Sequence, residues 1–137
     1  MGEYDDFNAK VIEEFRANDG KVGGNFEGAP LLLLHSTGAK SGESRLHPMM
    51  YLPEGDRYVV FASKAGAPDN PAWYHNLVAN PEASIEVGTD MVEVIATEAT
   101  GEERDRLFER QKELYPTFGD YEAKTDRVIP VMVLTRR

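Results

Sequence analysis

A chain of 137 residues is most simply one domain, long enough to bury roughly 70% of the surface its unfolded form exposes. It has no cysteine, hence no disulfide frame, thiolate nucleophile or cysteine-based zinc site, and its formal net charge of −9 excludes nucleic acid as a general partner. No run approaches the ~18 apolar residues of a membrane span, and the acidic start Met1–Asp6 lacks the apolar core of a signal peptide. A single cytoplasmic domain over 1–137 is expected.

The first predicted element is an amphipathic helix over about 4–18, where Phe7, Val11 and Phe15 recur at helical spacing between acidic residues. Gly20 and the Gly23-Gly24 pair end it. Its mostly acidic polar face suits a helix that caps a core, and not one lying on a membrane. Leu31-Leu32-Leu33-Leu34 has no alternating polar position and reads as a strand buried on both faces. Thr37–Ser44 then holds two glycines, hydroxyl residues and Lys40, and Arg45–Leu52 returns as a second strand. Such a loop can cradle an anion with outward-pointing amides; on residue types alone an ordinary mobile hairpin fits at least as well. A P-loop is excluded, because alanine precedes Lys40 and a strand follows the loop.

Pro53-Glu54-Gly55-Asp56 turns the chain into a third strand, Arg57–Ser63. That strand runs into Ser63-Lys64-Ala65-Gly66-Ala67-Pro68, a second small-residue loop carrying a lysine. Asn70-Pro71 opens a helix as N-cap and first-turn proline, and Asn80 before Pro81 closes it. Trp73, the only tryptophan, reads as the anchor of this helix on the sheet in preference to a stacking platform. Ala83–Val87 and Met91–Ala96 form a hairpin about Gly88-Thr89-Asp90.

Thr100-Gly101-Glu102-Glu103 has the form of a capping box, opening a helix with Leu107, Phe108, Gln111, Leu114 and Tyr115 on its inner stripe. Pro116 ends it. Thr117–Arg127 is polar but holds Phe118 and Tyr121, which with Tyr115 recur at intervals of three. They form either a flap packed on the core or a lid of flat rings over a planar ligand. Ile129–Leu134 closes the chain, with Pro130 at an edge or strand start. About six mostly antiparallel strands, with connections too short for parallel crossovers, predict a mainly β barrel or sandwich decorated by helices.

Little in this inventory does chemistry alone. His35, His47 and His75 lack metal-ligand spacing, and no Gly-x-Ser-x-Gly or Ser-x-x-Lys motif occurs. No metal is expected. Against the acidic background Lys40, Arg45, Arg57 and Lys64 fall within one short region. Basic residues, glycines and aromatics without an evident acid or base fit the holding of an anionic aromatic cofactor that carries its own chemistry.

Several blocks in order support a resemblance: Ser36–Gly42 with Arg45 and Pro48, Ala62–Gly66, Asn70–Leu77, Asn80-Pro81, and Tyr115-Pro116 with Tyr121, Thr125–Arg127 and Ile129-Pro130. Together they resemble the deazaflavin (coenzyme F-420)-dependent nitroreductase family of actinobacteria, from about Leu32 to the last strand. The resemblance implies a split β-barrel related to FMN-binding split barrels, and reduced coenzyme F-420 as two-electron donor in preference to FMN. That cofactor has a deazaflavin ring, a phosphate and an oligoglutamate tail.

By the resemblance, Lys40, Ser41, Gly42 and Arg45 hold phosphate and tail, while His47, Pro48 and Met50 line the ring. Ala62, Ser63, Lys64, Ala65 and Gly66 run along its other edge, supported by Trp73 and Asn76. Ser63, Tyr115, Phe118 and Tyr121 stand on the acceptor side, where hydride would pass from the ring to a stacked electrophile. Two departures bear on the acceptor. Only Lys40 follows Ala39 where the family often has two basic residues, and Phe118 replaces the tyrosine of nitro-reducing relatives. A quinone is therefore expected ahead of a nitroaromatic, with no membrane contact beyond access to a lipid-soluble quinone. The alternatives are a carrier that binds F-420 or FMN without turnover, and an interaction domain whose loops are only turns.

Overall fold

The structure is a computed structural model that describes residues 3–23, 30–66 and 69–137, apart from the side chains of residues 3–7 and 65. Gly24, Phe7's side chain, Ala65's side chain and Ala67-Pro68, all used above, lie outside the described residues. Strands β1 (Leu31–Thr37), β2 (Ser44–Met50), β3 (Leu52–Glu54), β4 (Arg57–Phe61), β5 (Glu82–Val87), β6 (Asp90–Ala99) and β7 (Val131–Arg136) alternate with four helices. These are α1 (Glu3–Ala17), α2 (Ala72–Ala79), α3 (Gly101–Leu114) and α4 (Thr117–Lys124).

The strands form one antiparallel sheet in the order β2-β1-β5-β6-β7-β4-β3. Its two ends, β2 and β3, are consecutive in the chain and joined through Tyr51 alone. The sheet therefore has to curl until its ends meet, as in a split barrel. Seven strands replace the expected six because the predicted strand Arg45–Leu52 breaks at Tyr51, whose N–H donates to the Pro30 carbonyl at 3.1 Å.

Burial follows from this curl. Leu32 and Leu34 pack inside with Val60, Ala62, Trp73, Leu77, Met132 and Leu134. Leu31 and Leu33 face the other way, against Val11, Phe15 and Val22 of the α1 region. All four leucines are buried, and burying each contributes about 1.5–3 kcal/mol. A third cluster lies outside the sheet under α3, where Leu107 and Phe108 meet Val59, Phe61, Val131 and Val133.

Two caps differ from expectation. Thr100 precedes α3 but makes no side-chain capping bond, and Gly101 enters the helix with φ +59°. Pro71, not Asn70, stands at the N-cap position of α2. The Asn70 side chain is engaged elsewhere, by Arg127.

The α1 helix is fastened by charge as well as by apolar packing. Arg16 Nη2 lies 2.7 Å from Glu86 Oε2, and His35 Nε2 is 2.6 Å from the same oxygen. The Arg16 hydrogen bond, assisted by His35, holds the Glu86 carboxyl below its ordinary value. A depressed carboxyl pKa contributes stability that is present above the unfolded-state value and is lost as pH falls through the folded one. Thermal melts below about pH 4.5 should therefore fall more steeply for the wild type than for Glu86→Gln. Parallel curves would show that this pair does not secure α1.

Candidate cofactor cleft

The site is assembled from β1, the turn after it, β2 and the exposed face of α2. Asn76, buried on α2, holds the turn in place: its Oδ1 accepts from the Ala39 N–H at 3.0 Å, and its Nδ2 donates to Ser36 Oγ at 3.3 Å. Asn80 adds a bond from Nδ2 to the Thr37 carbonyl at 3.4 Å. The turn is tight. Gly38 N–H donates to the Glu43 carbonyl at 2.7 Å, Gly42 N–H donates to the Gly38 carbonyl at 3.0 Å, and Glu43 N–H to Ser41 Oγ at 3.1 Å. A Cβ on Gly38 would lie 2.5 Å from Ser41 Oγ and would displace that hydroxyl from its bond to the Glu43 N–H.

Between this turn and α2 opens a cleft of about 750 Å³, lined by Gly38–Ser41, Ser44–His47, Ala72, His75 and Asn76. Its size falls within the ~300–1,000 Å³ typical of small-molecule sites. Lys40 and Arg45 supply its positive charge from exposed positions. Arg45 Nη2 lies 3.3 Å from Glu43, while Lys40 has no ion pair among the described residues. Of the residues singled out by sequence, Lys40, Ser41, Arg45, His47 and Asn76 thus share one cavity.

Others stand apart from it. Gly42 shapes the turn, with φ +72° and open space around it. Strand alternation puts Pro48 and Met50 on the face opposite His47, and Met50 packs with the α1 cluster. Trp73 lies in the inner core, which is the anchoring role. Ala72 and His75 entered unforeseen; with Asn76 they stand at i, i+3 and i+4 on α2, a spacing visible in the sequence.

The second predicted wall follows β4. Ala62 and Ser63 are buried, and a 3-10 turn spans Lys64–Gly66, with Lys64 at φ +47° and Gly66 at φ +82°. Lys64 Nζ pairs with Asp69 at 3.2 Å, and this contact lowers the Asp69 carboxyl pKa. The α4 helix sits directly on this turn: a Cβ on Gly66 would lie 2.9 Å from both Lys124 Cβ and the Tyr121 carbonyl.

Phe118 and Tyr121 stack edge-on at 5.3 Å, and Phe118 meets Phe61 at 5.9 Å. The aromatic segment is therefore a helix packed on the α3-side cluster, with Tyr115 half-buried at the C-cap of α3. Among the described residues, no group of three or more His, Cys, Asp or Glu could hold a metal ion, and no helix is long and apolar enough to cross a membrane.

Residues 9–136 match the profile of a family described as F420H(2)-dependent quinone reductase. The chain belongs to that family. An F420H(2)-dependent quinone reductase of Mycobacterium tuberculosis is 42% identical over 127 residues, 90% of this chain and 85% of its own. A solved F420-H2 dependent reductase (FDR-A) is 42% identical with a TM-score of 0.70, covering 77% of this chain and 93% of its own. An FAD-binding protein of Mesorhizobium loti shares the fold alone, at 14% identity and a TM-score of 0.55, over 94% and 87% of the two chains.

The expected deazaflavin-dependent oxidoreductase family, with coenzyme F-420 as its cofactor and a split barrel as its fold, is thereby established. The cleft of this family member has the donor set such a cofactor requires: cations and hydroxyls at a tight turn, with half-buried His47 on the adjoining strand.

Proposed function

We propose that this protein reduces a flat, electron-poor acceptor, foremost a quinone, with coenzyme F-420 bound between the Gly38–Ser44 turn and α2. The observation that carries this reading is local charge inversion. A chain of net charge −9 presents Lys40 and Arg45 together at the mouth of a cleft whose turn is held rigid by Asn76. Anionic groups have little other reason to approach such a molecule.

When bound, the reduced cofactor supplies the hydride. The chain supplies position and exclusion of water. Lys40, Ser41 and Arg45 take phosphate and glutamate tail, and His47 borders the ring. The segment Ala62–Gly66 takes the ring's far edge, while Ser63, Tyr115 and Tyr121 offer hydroxyls toward the acceptor's oxygens. Phe118 contributes surface but no hydroxyl, which favours a quinone over a nitro group.

Titration of the purified protein with F-420, FMN and FAD, followed by oxidation of reduced F-420 by a quinone and a nitroaromatic, tests this reading. Preferential binding of F-420 and faster turnover with the quinone are expected. Preference for FMN would reassign the cofactor, and binding without turnover would make the protein a carrier.

A further inference from the structure

Among the described residues, the Arg127 side chain gathers acceptors from two distant segments. Its Nη1 donates to the Ala62 carbonyl at 3.1 Å and to Asn70 Oδ1 at 2.7 Å, and its Nη2 to the Ser63 carbonyl at 2.8 Å. The segment after α4 is thus tied both to the end of β4 and to Asn70, just before the Pro71 N-cap of α2. A guanidinium can do this because its donors diverge in one plane; a lysine ammonium cannot span the same set with fixed geometry.

The peptide bonds following Ala62 and Ser63 are trans, since the described residues contain no cis peptide. In a trans peptide the N–H points opposite to the C=O. Two successive carbonyls turned toward Arg127 therefore turn two successive N–H groups, those of Ser63 and Lys64, to the other side. Neither N–H meets an acceptor among the described residues. Lys64, moreover, has the left-handed backbone (φ +47°) that commonly lets adjacent N–H groups converge into a small anion-binding hollow. The Gly66 contact with α4 presses on the same turn from its other end.

We infer that Arg127 is a positioning residue: it fixes the Ser63 and Lys64 amides as a pair of donors for a carbonyl oxygen or anionic ring atom of the planar cofactor. This inference rests on the cofactor reading above and deepens it, because it assigns the ring end to a backbone device and leaves the phosphate end to Lys40 and Arg45. Arg127 touches no cofactor atom itself. Its bond to Asn70 also aligns α2, whose Ala72, His75 and Asn76 line the cleft, with that device.

The test uses two ligands: F-420, and its deazaflavin ring with the ribityl chain but without phosphate and glutamates. Arg127→Lys should weaken both by the same factor, about tenfold or more, whereas Lys40→Ala should weaken only intact F-420. In ¹⁵N–¹H spectra the Ser63 and Lys64 amides should shift on adding the ring fragment to wild type and not to Arg127→Lys. A purely structural role would lower the melting temperature yet leave these shifts and affinities in place, and that result would overturn the inference.

Loss of intact F-420 alone would also overturn it, since Arg127 would then act on the tail by charge. Should Arg127→Lys fail to fold, Asn70→Ala removes one acceptor; it should show the same equal weakening to a lesser degree, and unchanged binding would refute the clamp. Wild-type protein that binds neither ligand would instead remove the cofactor reading and this inference with it.

Discussion

Replacing Lys40 and Arg45 together by alanine is expected to weaken F-420 binding by about 100-fold while leaving the melting temperature nearly unchanged. Both side chains stand at the solvent edge of the cleft, that of Arg45 being 50% exposed, so no core contact is lost. Surface substitutions of this kind usually change stability by no more than about 0.5 kcal/mol. A hydrogen bond to a charged group contributes roughly 1.5–3 kcal/mol, with exposure favouring the lower figure, and about 1.4 kcal/mol corresponds to tenfold in affinity. Two such losses give the stated factor.

Because these contacts are screened, wild-type affinity should also fall with salt, and the double variant should be much less salt-sensitive. Fluorescence titration at two ionic strengths measures both effects. Equal affinity of wild type and variant for F-420 would show that the anionic end of the cofactor lies elsewhere.

The second large effect concerns Gly66. Alanine there meets two penalties: a left-handed backbone at φ +82°, and a Cβ 2.9 Å from Lys124 Cβ and the Tyr121 carbonyl. Left-handed geometry costs an L-residue about 1–2 kcal/mol, and forced overpacking about 1–3 kcal/mol. A total near 3 kcal/mol should lower the melting temperature by roughly 10 °C in a domain of this size. It should also weaken cofactor binding, since α4 and the turn can no longer hold their contact.

Gly42→Ala supplies the comparison. Its φ is +72° and nothing lies within 4 Å of the added Cβ, so only the backbone penalty of about 1 kcal/mol applies. The difference between the two variants in calorimetric melts isolates the packing of α4 on the Lys64–Gly66 turn. If both melt alike, α4 is not pressed against that turn.

Local pattern made much of this molecule legible. Four adjacent leucines announced a strand buried on both faces, and they divide alternately between the inner core and the α1 cluster. The Asn80-Pro81 step ended α2, and the residues about Gly88 turned a hairpin, because each depends on dihedral restrictions carried by a few neighbouring residues. The family could be recognised because its marks are short blocks at fixed spacing. The cleft's cations stood out against an acidic chain, whereas Asn76, expected behind the Ala62–Gly66 edge, bonds Ala39 and Ser36 at the other turn.

What local pattern could not carry was every decision made between distant segments. The break at Tyr51 follows from closing a curled sheet, a demand that the apolar run Met49–Leu52 does not record. Asn70 has the chemistry of an N-cap, yet its side chain serves Arg127, separated by 57 positions. Met50 and His47 fall on opposite faces because the β1–β2 register sets Met50 beside Leu31 on the α1 side and His47 beside Leu34 on the inner side. Composition and periodicity thus determined which segments become strands, helices and charged turns, since those preferences are properties of neighbouring residues. Only tertiary packing decided which of their polar atoms meet, because a hydrogen bond between remote residues depends on a distance that no local preference encodes.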